Sequence, residues 1–272
     1  MILSGLYPFT LQFDNGLYAR FPFIFNKEPV VSIGNNNSLK NPVPSCLISA
    51  RSAGDMVFKL ASPNMKREDF FSSLKIPAEK VYSLYQIHSK DVFILGKPQA
   101  EDQGYLPNPD NFAREGDGMV SFSSVPILAI TVADCLPVFL LDTENGYFAL
   151  VHSGWKGTGI VLNALDIMQK AGARPEAIAA VLGPCIQSCC YKVDKERAEW
   201  FDTEFGAVRH DPSGSYISLQ AANARLLVSR GVQHIAYCTD CTFTDERLGS
   251  FRREGPQSFT RMLAMIRAAN CG

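Results

Sequence analysis

Apolar residues in this chain fall into short runs, densest in its middle third, rather than into one long repeating stripe. Residues 126–132, 138–141 and 147–151 are almost wholly apolar, with Asn145-Gly146 as a turn before the last run. Runs this short suit strands buried on both faces. From 157 to 170, Ile160, Leu162, Leu165 and Met168 recur near the helical period, and Gly172 supplies a stop. Residues 178–182 and 234–238 predict two more strands. Residues 194–205 and 219–230 predict helices, the second closed by Gly231. Nearer the start, Asp14-Asn15-Gly16 separates 10–13 from 17–21, a hairpin signal. Short helical pieces are expected at 67–74 and 77–80, followed by a strand at 80–85. Residues 34–38 and 96–116 have loop composition, and the second is long enough to be mobile or to act as a lid. No repeat or linker divides the chain. The expectation is one domain over 1–272, with mixed sheets and peripheral helices.

Composition narrows the partners. With 46% hydrophobic and 19% charged residues, a chain of 272 can bury a sizeable core. Lys plus Arg (26) nearly cancels Asp plus Glu (27), and no run of one sign appears. Nucleic-acid and membrane partners are therefore not expected, and a small-molecule substrate is. The most apolar stretch, 125–141, contains Asp134, Pro126 and Pro137. A carboxylate at mid-bilayer costs roughly 3 kcal/mol, so this stretch reads as a buried pair of strands. Residues 1–6 show no basic region before an apolar segment and no cleavage site, so no secretory leader is expected. Eight cysteines without an export signal indicate reduced thiols and a cytoplasmic location.

Three segments each put a metal-ligand side chain at a strand end beside small or turn-forming residues: Gln86-Ile87-His88-Ser89, Ala133-Asp134-Cys135-Leu136-Pro137 and Val151-His152-Ser153-Gly154-Trp155. Two imidazoles and a thiolate suit one Zn²⁺ per chain, and three protein ligands leave the fourth position open, as catalytic sites do. Cys185, Cys189 and Cys190 lack a second Cys/His pair at zinc-ribbon spacing. Cys238-Thr239-Asp240-Cys241 has CxxC spacing without a thioredoxin context. These later cysteines read as structural thiols.

Gly116-Asp117-Gly118-Met119-Val120, Thr131–Val138 and Val151–Thr158 resemble signature blocks of the laccase-domain family, the YfiH-type group labelled polyphenol oxidase and also described as purine nucleoside phosphorylases. Gln86-Ile87-His88, Leu182–Ile186, Cys190–Val193, Cys241-Thr242 and Ser250–Gly255 are further matches, so the resemblance runs from about Ser49 to the C-terminal end. It implies an α+β domain of two mixed sheets packed face to face with helices outside, related to the catalytic domain of cytotoxic necrotizing factor. It implies zinc at His88, Cys135 and His152, phosphorolysis of adenosine, inosine, guanosine and methylthioadenosine, and deamination of adenosine. Departures stand at Arg51-Ser52-Ala53-Gly54-Asp55, Phe58-Lys59-Leu60 and Phe259-Thr260-Arg261, and residues 1–45 match no block.

For deamination, a water activated by the zinc would attack C6 of the purine. Asp134 is the candidate proton shuttle, and its other reading is a strand-end carboxylate that caps backbone N–H groups. Phosphate binding calls for cations, and Arg51, Lys156 and Arg253 are the candidates, each otherwise a surface ion pair. Trp155, Phe251 or Tyr191 could stack on the base. One alternative is a metal-free hydrolase or deamidase with Cys135 as nucleophile and His152 as base. A copper-dependent phenol oxidoreductase is the other, but several coppers need many histidines and the chain has four. A monomer is expected.

Overall fold

The computed structural model describes residues 6–21, 23–25, 28–30, 44–58, 63–96 and 114–268. Two mixed sheets face each other. The seven-stranded sheet runs Tyr7–Phe9, His234–Cys238, Ile178–Leu182, Leu136–Asp142, Phe148–Ser153, Gly118–Ser121, Val92–Leu95. The six-stranded sheet runs Phe13–Asp14, Tyr18–Phe21, Ser45–Ser49, Met262–Arg267, Ile127–Val132, Val81–Tyr82. The expected α+β architecture is what the chain adopts.

Side-chain alternation along fully buried strands builds the layers. In Leu136–Asp142, Phe139 and Leu141 join the core between the sheets, whereas Leu136, Val138 and Leu140 face the helices Ile160–Lys170, Lys195–Phe205 and Leu219–Ser229. In Ile127–Val132, Leu128, Ile130 and Val132 point into the same central core. Ile127 and Ala129 instead meet Phe70 and Phe71 of the helix Met65–Ser73. Asp194 and Ser218 cap their helices, accepting the amides of Arg197 and Ala221. No helix among the described residues is long and apolar enough to cross a membrane.

Several expectations shift. The runs 126–132 and 138–141 are strands but not partners, because each belongs to a different sheet. The predicted hairpin forms, with Asn15 and Gly16 both at positive φ, but pairing on its first arm covers only Phe13–Asp14. Upstream, Tyr7–Phe9 pairs in the other sheet, parallel to His234–Cys238. The strand expected at 80–85 shortens to Val81–Tyr82, beyond which Tyr85 bridges to Glu115. Ser45–Ser49 and Met262–Arg267, central in the second sheet, carry no alternation of their own and are set by their partners. The loop expected at 34–38, and 97–113 of the one expected at 96–116, lie outside the described residues.

Phe139 is fully buried and meets Phe21 of the facing sheet edge-on at 5.2 Å. Phe139→Ala should cost about 3–5 kcal/mol in urea unfolding. A loss within the ~0.5 kcal/mol of a surface change would mean the sheets do not meet there.

Candidate metal centre and its cavity

Only Ala133, Asp134 and Cys135 span the gap between the Ile127–Val132 strand in one sheet and the Leu136–Asp142 strand in the other. Asp134 makes the reversal at φ 83°, in the left-handed region that Asp tolerates better than most residues. Its carbonyl accepts the Ile186 amide at 3.0 Å. Its carboxylate accepts the Thr242 hydroxyl at 2.6 Å and the Arg252 amide at 2.7 Å. Asp134 therefore lines the cavity with both oxygens engaged, the capping arrangement rather than a free carboxylate.

This crossover sets Cys135 beside two histidines. Donor atoms of His88, Cys135 and His152 all lie within 4.8 Å of one another, so a metal-binding group is present. Cys135 Sγ stands 3.8 Å from His88 Nε2, and the two imidazole centroids are 4.9 Å apart. Metal–nitrogen bonds near 2.0–2.1 Å and a metal–sulfur bond near 2.3 Å put tetrahedral ligand atoms roughly 3.5 Å apart. The trio needs only a slight closure to hold one ion. Gly154 keeps the space open: a Cβ there would lie 2.9 Å from His88 Cδ2 and 3.0 Å from Cys135 Sγ.

Both histidines are oriented by one residue to which the sequence assigned no role. Asp117, fully buried, accepts the amides of Ile87 (3.2 Å), His88 (3.0 Å) and Ser89 (2.6 Å). Its Oδ1 also pairs with His152 Nδ1 at 2.8 Å, leaving Nε2 of that ring for the centre. A signal existed in Gly116-Asp117-Gly118: an acid flanked by glycines before a strand suggests close backbone approach, though it does not name the partners. Gln86 adds a second clamp, donating to the Thr131 carbonyl and accepting the Thr131 amide and hydroxyl.

The electrostatics are those of a pre-formed ion pair. Burial pushes the Cys135 thiol up, but the charge and hydrogen bonds of His152 and His88 outweigh it and bring the thiol down to about 6. Burial pushes His152 down, but the Cys135 thiolate and the Asp117 carboxylate bring it up to about 9. Asp117 itself is held below the usual carboxylate range: burial works against this, and the His152 contact and the backbone donors prevail.

The centre opens into a cavity of about 470 Å³, within the size range of small-molecule sites. Trp155, Tyr191 and Phe251, the expected stacking residues, all line it, with Phe259 beside Phe251 at 5.0 Å between centroids. The cations on its wall are Arg197, Arg252 and Arg261, each laid on a wall aromatic: Trp155 at 4.3 Å, Tyr191 at 5.4 Å and Phe259 at 4.1 Å. Arg51, Lys156 and Arg253 are placed elsewhere. Arg51 pairs with Glu254 at 3.3 Å beside another cavity, and Lys156 lies over the Trp155 ring at 5.5 Å. Arg253 is a brace whose guanidinium donates to the carbonyls of Thr242, Phe243, Asp245 and Leu248. Periodicity could not distinguish wall arginines from bracing ones.

Comparison with known proteins gives a family and a fold. Residues 59–269 match the family described as multi-copper polyphenol oxidoreductase laccase. A purine nucleoside phosphorylase of Corynebacterium glutamicum is 33% identical over 181 residues, 65% of this chain and 70% of that protein. An adenosine deaminase from an unknown prokaryote, RL5, is 34% identical over 152 residues, 50% of this chain and 58% of that protein. Among solved structures, YlmD of Geobacillus stearothermophilus superposes with a TM-score of 0.77 at 23% identity, over 95% of this chain and 98% of that one.

Asp117→Asn should weaken metal binding at this centre about 10–100-fold, read by competition with a chromophoric chelator. Unchanged affinity would remove Asp117 as the orienting group. In chelated protein, alkylation of Cys135, followed by peptide mass spectrometry, should persist down to pH about 6 and fall below it, as the thiolate is protonated. In His152→Ala the fall should move to higher pH, because burial is then less opposed. An unmoved profile would mean the imidazolium does not hold the thiolate.

Proposed function

This chain belongs to the multi-copper polyphenol oxidoreductase laccase family, and we propose that within it the protein is a zinc-dependent purine nucleoside phosphorylase that also deaminates adenosine. The observation that carries the reading is the cavity itself, where a two-histidine, one-cysteine metal group opens onto a wall of three arginine–aromatic couples. Aromatic faces suit a purine base, and guanidinium groups suit phosphate. Relatives named purine nucleoside phosphorylase and adenosine deaminase support the same substrates. Borderline-soft zinc fits an N₂S donor set better than a multi-copper arrangement does, since only two of four histidines reach the centre. When bound, zinc would supply Lewis-acid polarisation and an activated water.

In phosphorolysis a phosphate oxygen bonds to the ribose anomeric carbon as the glycosidic bond to the purine breaks, and the purine nitrogen leaves with the electron pair and takes a proton. Arg252 is the phosphate candidate. Its guanidinium donates to the Lys192 carbonyl, an uncharged partner, while its backbone amide is fixed by Asp134. Arg197 and Arg261 are partly neutralised by Asp194 at 3.4 Å and Asp55 at 3.0 Å, so they position the wall. In deamination, water adds at C6 and ammonia departs. Asp134 is proposed to carry the proton, for which it must release the Thr242 hydroxyl.

A second reading has its own observation. The low Cys135 thiol, the raised His152 and the Asp117 carboxylate form a Cys-His-Asp series able to act as a metal-free hydrolase. The metal reading is preferred because that series has no use for His88, which Gly154 lets approach the sulfur. Activity that survives chelation would reverse the preference.

Inosine should yield hypoxanthine only when phosphate is present, with ribose 1-phosphate as co-product. Arg252→Ala should raise KM for phosphate more than that for inosine. Free ribose would overturn the phosphorylase assignment. Asp134→Asn should slow adenosine deamination by ~100-fold or more, and phosphorolysis less. An equal loss of both with lost zinc would leave Asp134 a purely structural brace.

A further inference from the structure

We propose that Cys189, Cys190 and Cys241 form a second, all-sulfur metal site for a thiophilic d¹⁰ ion, Zn²⁺ or Cu⁺, separate from the His88–Cys135–His152 centre. Taken as motifs, these cysteines belong to two unrelated patterns, neither with a complete ligand set. The fold joins them. Cys185 bridges in parallel to Cys241. A turn whose Cys190 and Tyr191 amides both donate to the Gln187 carbonyl then brings Cys189 and Cys190 alongside. Their three ligand atoms lie within 4.8 Å of one another, and the two neighbouring sulfurs are 3.3 Å apart.

The surroundings of Cys241 favour a bound thiolate. Cys241 is buried, and its sulfur accepts the Gln187 amide at 3.3 Å. A backbone donor to a sulfur stabilises its anionic form, which is the form that ligates metal. Cys189 is exposed, so an ion could enter from solvent and keep an open position. The adjoining cavity is also lined by Asp240 and Glu246, whose negative charge attracts cations, and by Asp245, which Arg247 pairs at 2.7 Å. Three sulfurs with no imidazole among them select soft or borderline ions over Mg²⁺ or Ca²⁺. A disulfide between Cys189 and Cys190 would require the sulfurs to close from 3.3 Å to about 2.05 Å and would leave Cys241 unused.

The test uses full-length, reduced, chelator-treated protein titrated anaerobically with Zn²⁺, and separately with Cu⁺, against a competing chromophoric chelator. At least one of the two ions should saturate at two equivalents, and the arm that does so identifies the ion. Cys189→Ser, an exposed change that leaves the fold intact, should bind one equivalent and retain inosine phosphorolysis. Cys135→Ala should also bind one equivalent, and the double variant none. Co²⁺ bound to Cys135→Ala should show the strong near-ultraviolet thiolate charge-transfer band, lost on adding Cys189→Ser. Saturation of wild type at one equivalent by both ions, or two equivalents retained in Cys189→Ser, would overturn the site. Because the count is independent of turnover, loss of the nucleoside reading would leave it standing.

Discussion

Asp117 is fully buried and charged, and both histidines of the centre take their places from it. A carboxylate removed from water is tolerated only when its lone pairs are met. Three consecutive amides from the 87–89 segment and the His152 ring meet these. The loop carrying His88, at positive φ, is thereby tied to the strand that carries His152. Removing the carboxylate would strand those donors in the interior, a cost of several kcal/mol. The bond to His152 Nδ1 also fixes which nitrogen of that ring faces the metal position. Stability and ligand geometry are thus one arrangement.

The two-sheet sandwich supplies the rest. A three-residue crossover at the sheet ends leaves Cys135 no freedom to move away from the histidines, and Asp134 anchors that crossover to the 186, 242 and 252 segments. Arg253 gathers four carbonyls of the 242–248 loop, and Glu254 accepts the Ser250 and Thr260 amides. The charged residues behind the cavity therefore hold its shape, while the arginines laid on aromatic rings present their charge to it. Guanidinium stacking restrains an otherwise flexible side chain without neutralising it; Arg197 and Arg261 are in addition partly neutralised by Asp194 and Asp55.

Much of this was legible in the residues. Strands buried on both faces appear as unbroken apolar runs, so Leu136–Asp142, Phe148–Ser153 and Ile178–Leu182 were readable, as were the helices Lys195–Phe205 and Leu219–Ser229, the second closed by Gly231. So was the trio His88, Cys135 and His152, because three ligand-type side chains stand at strand ends beside small or turn-forming residues within recognisable family blocks. The stacking aromatics were named from the same blocks and do line the cavity.

What one dimension determined, then, was local: periodicity, caps, turn chemistry and the identity of scarce reactive side chains, each written within a few neighbouring positions. Tertiary structure decided which sheet each strand joined, since a buried strand's apolar run is the same whichever partner it finds. It decided that Arg197, Arg252 and Arg261 face the cavity while Arg51, Lys156 and Arg253 do not, because a surface cation and a wall cation share the same residue type and spacing. It also brought Asp117 to His152 across 35 positions, and Cys241 to Cys189 and Cys190, neighbours in space that no short pattern contains. Contacts of that range are fixed only when the sheets pack and every buried donor and acceptor must find its partner.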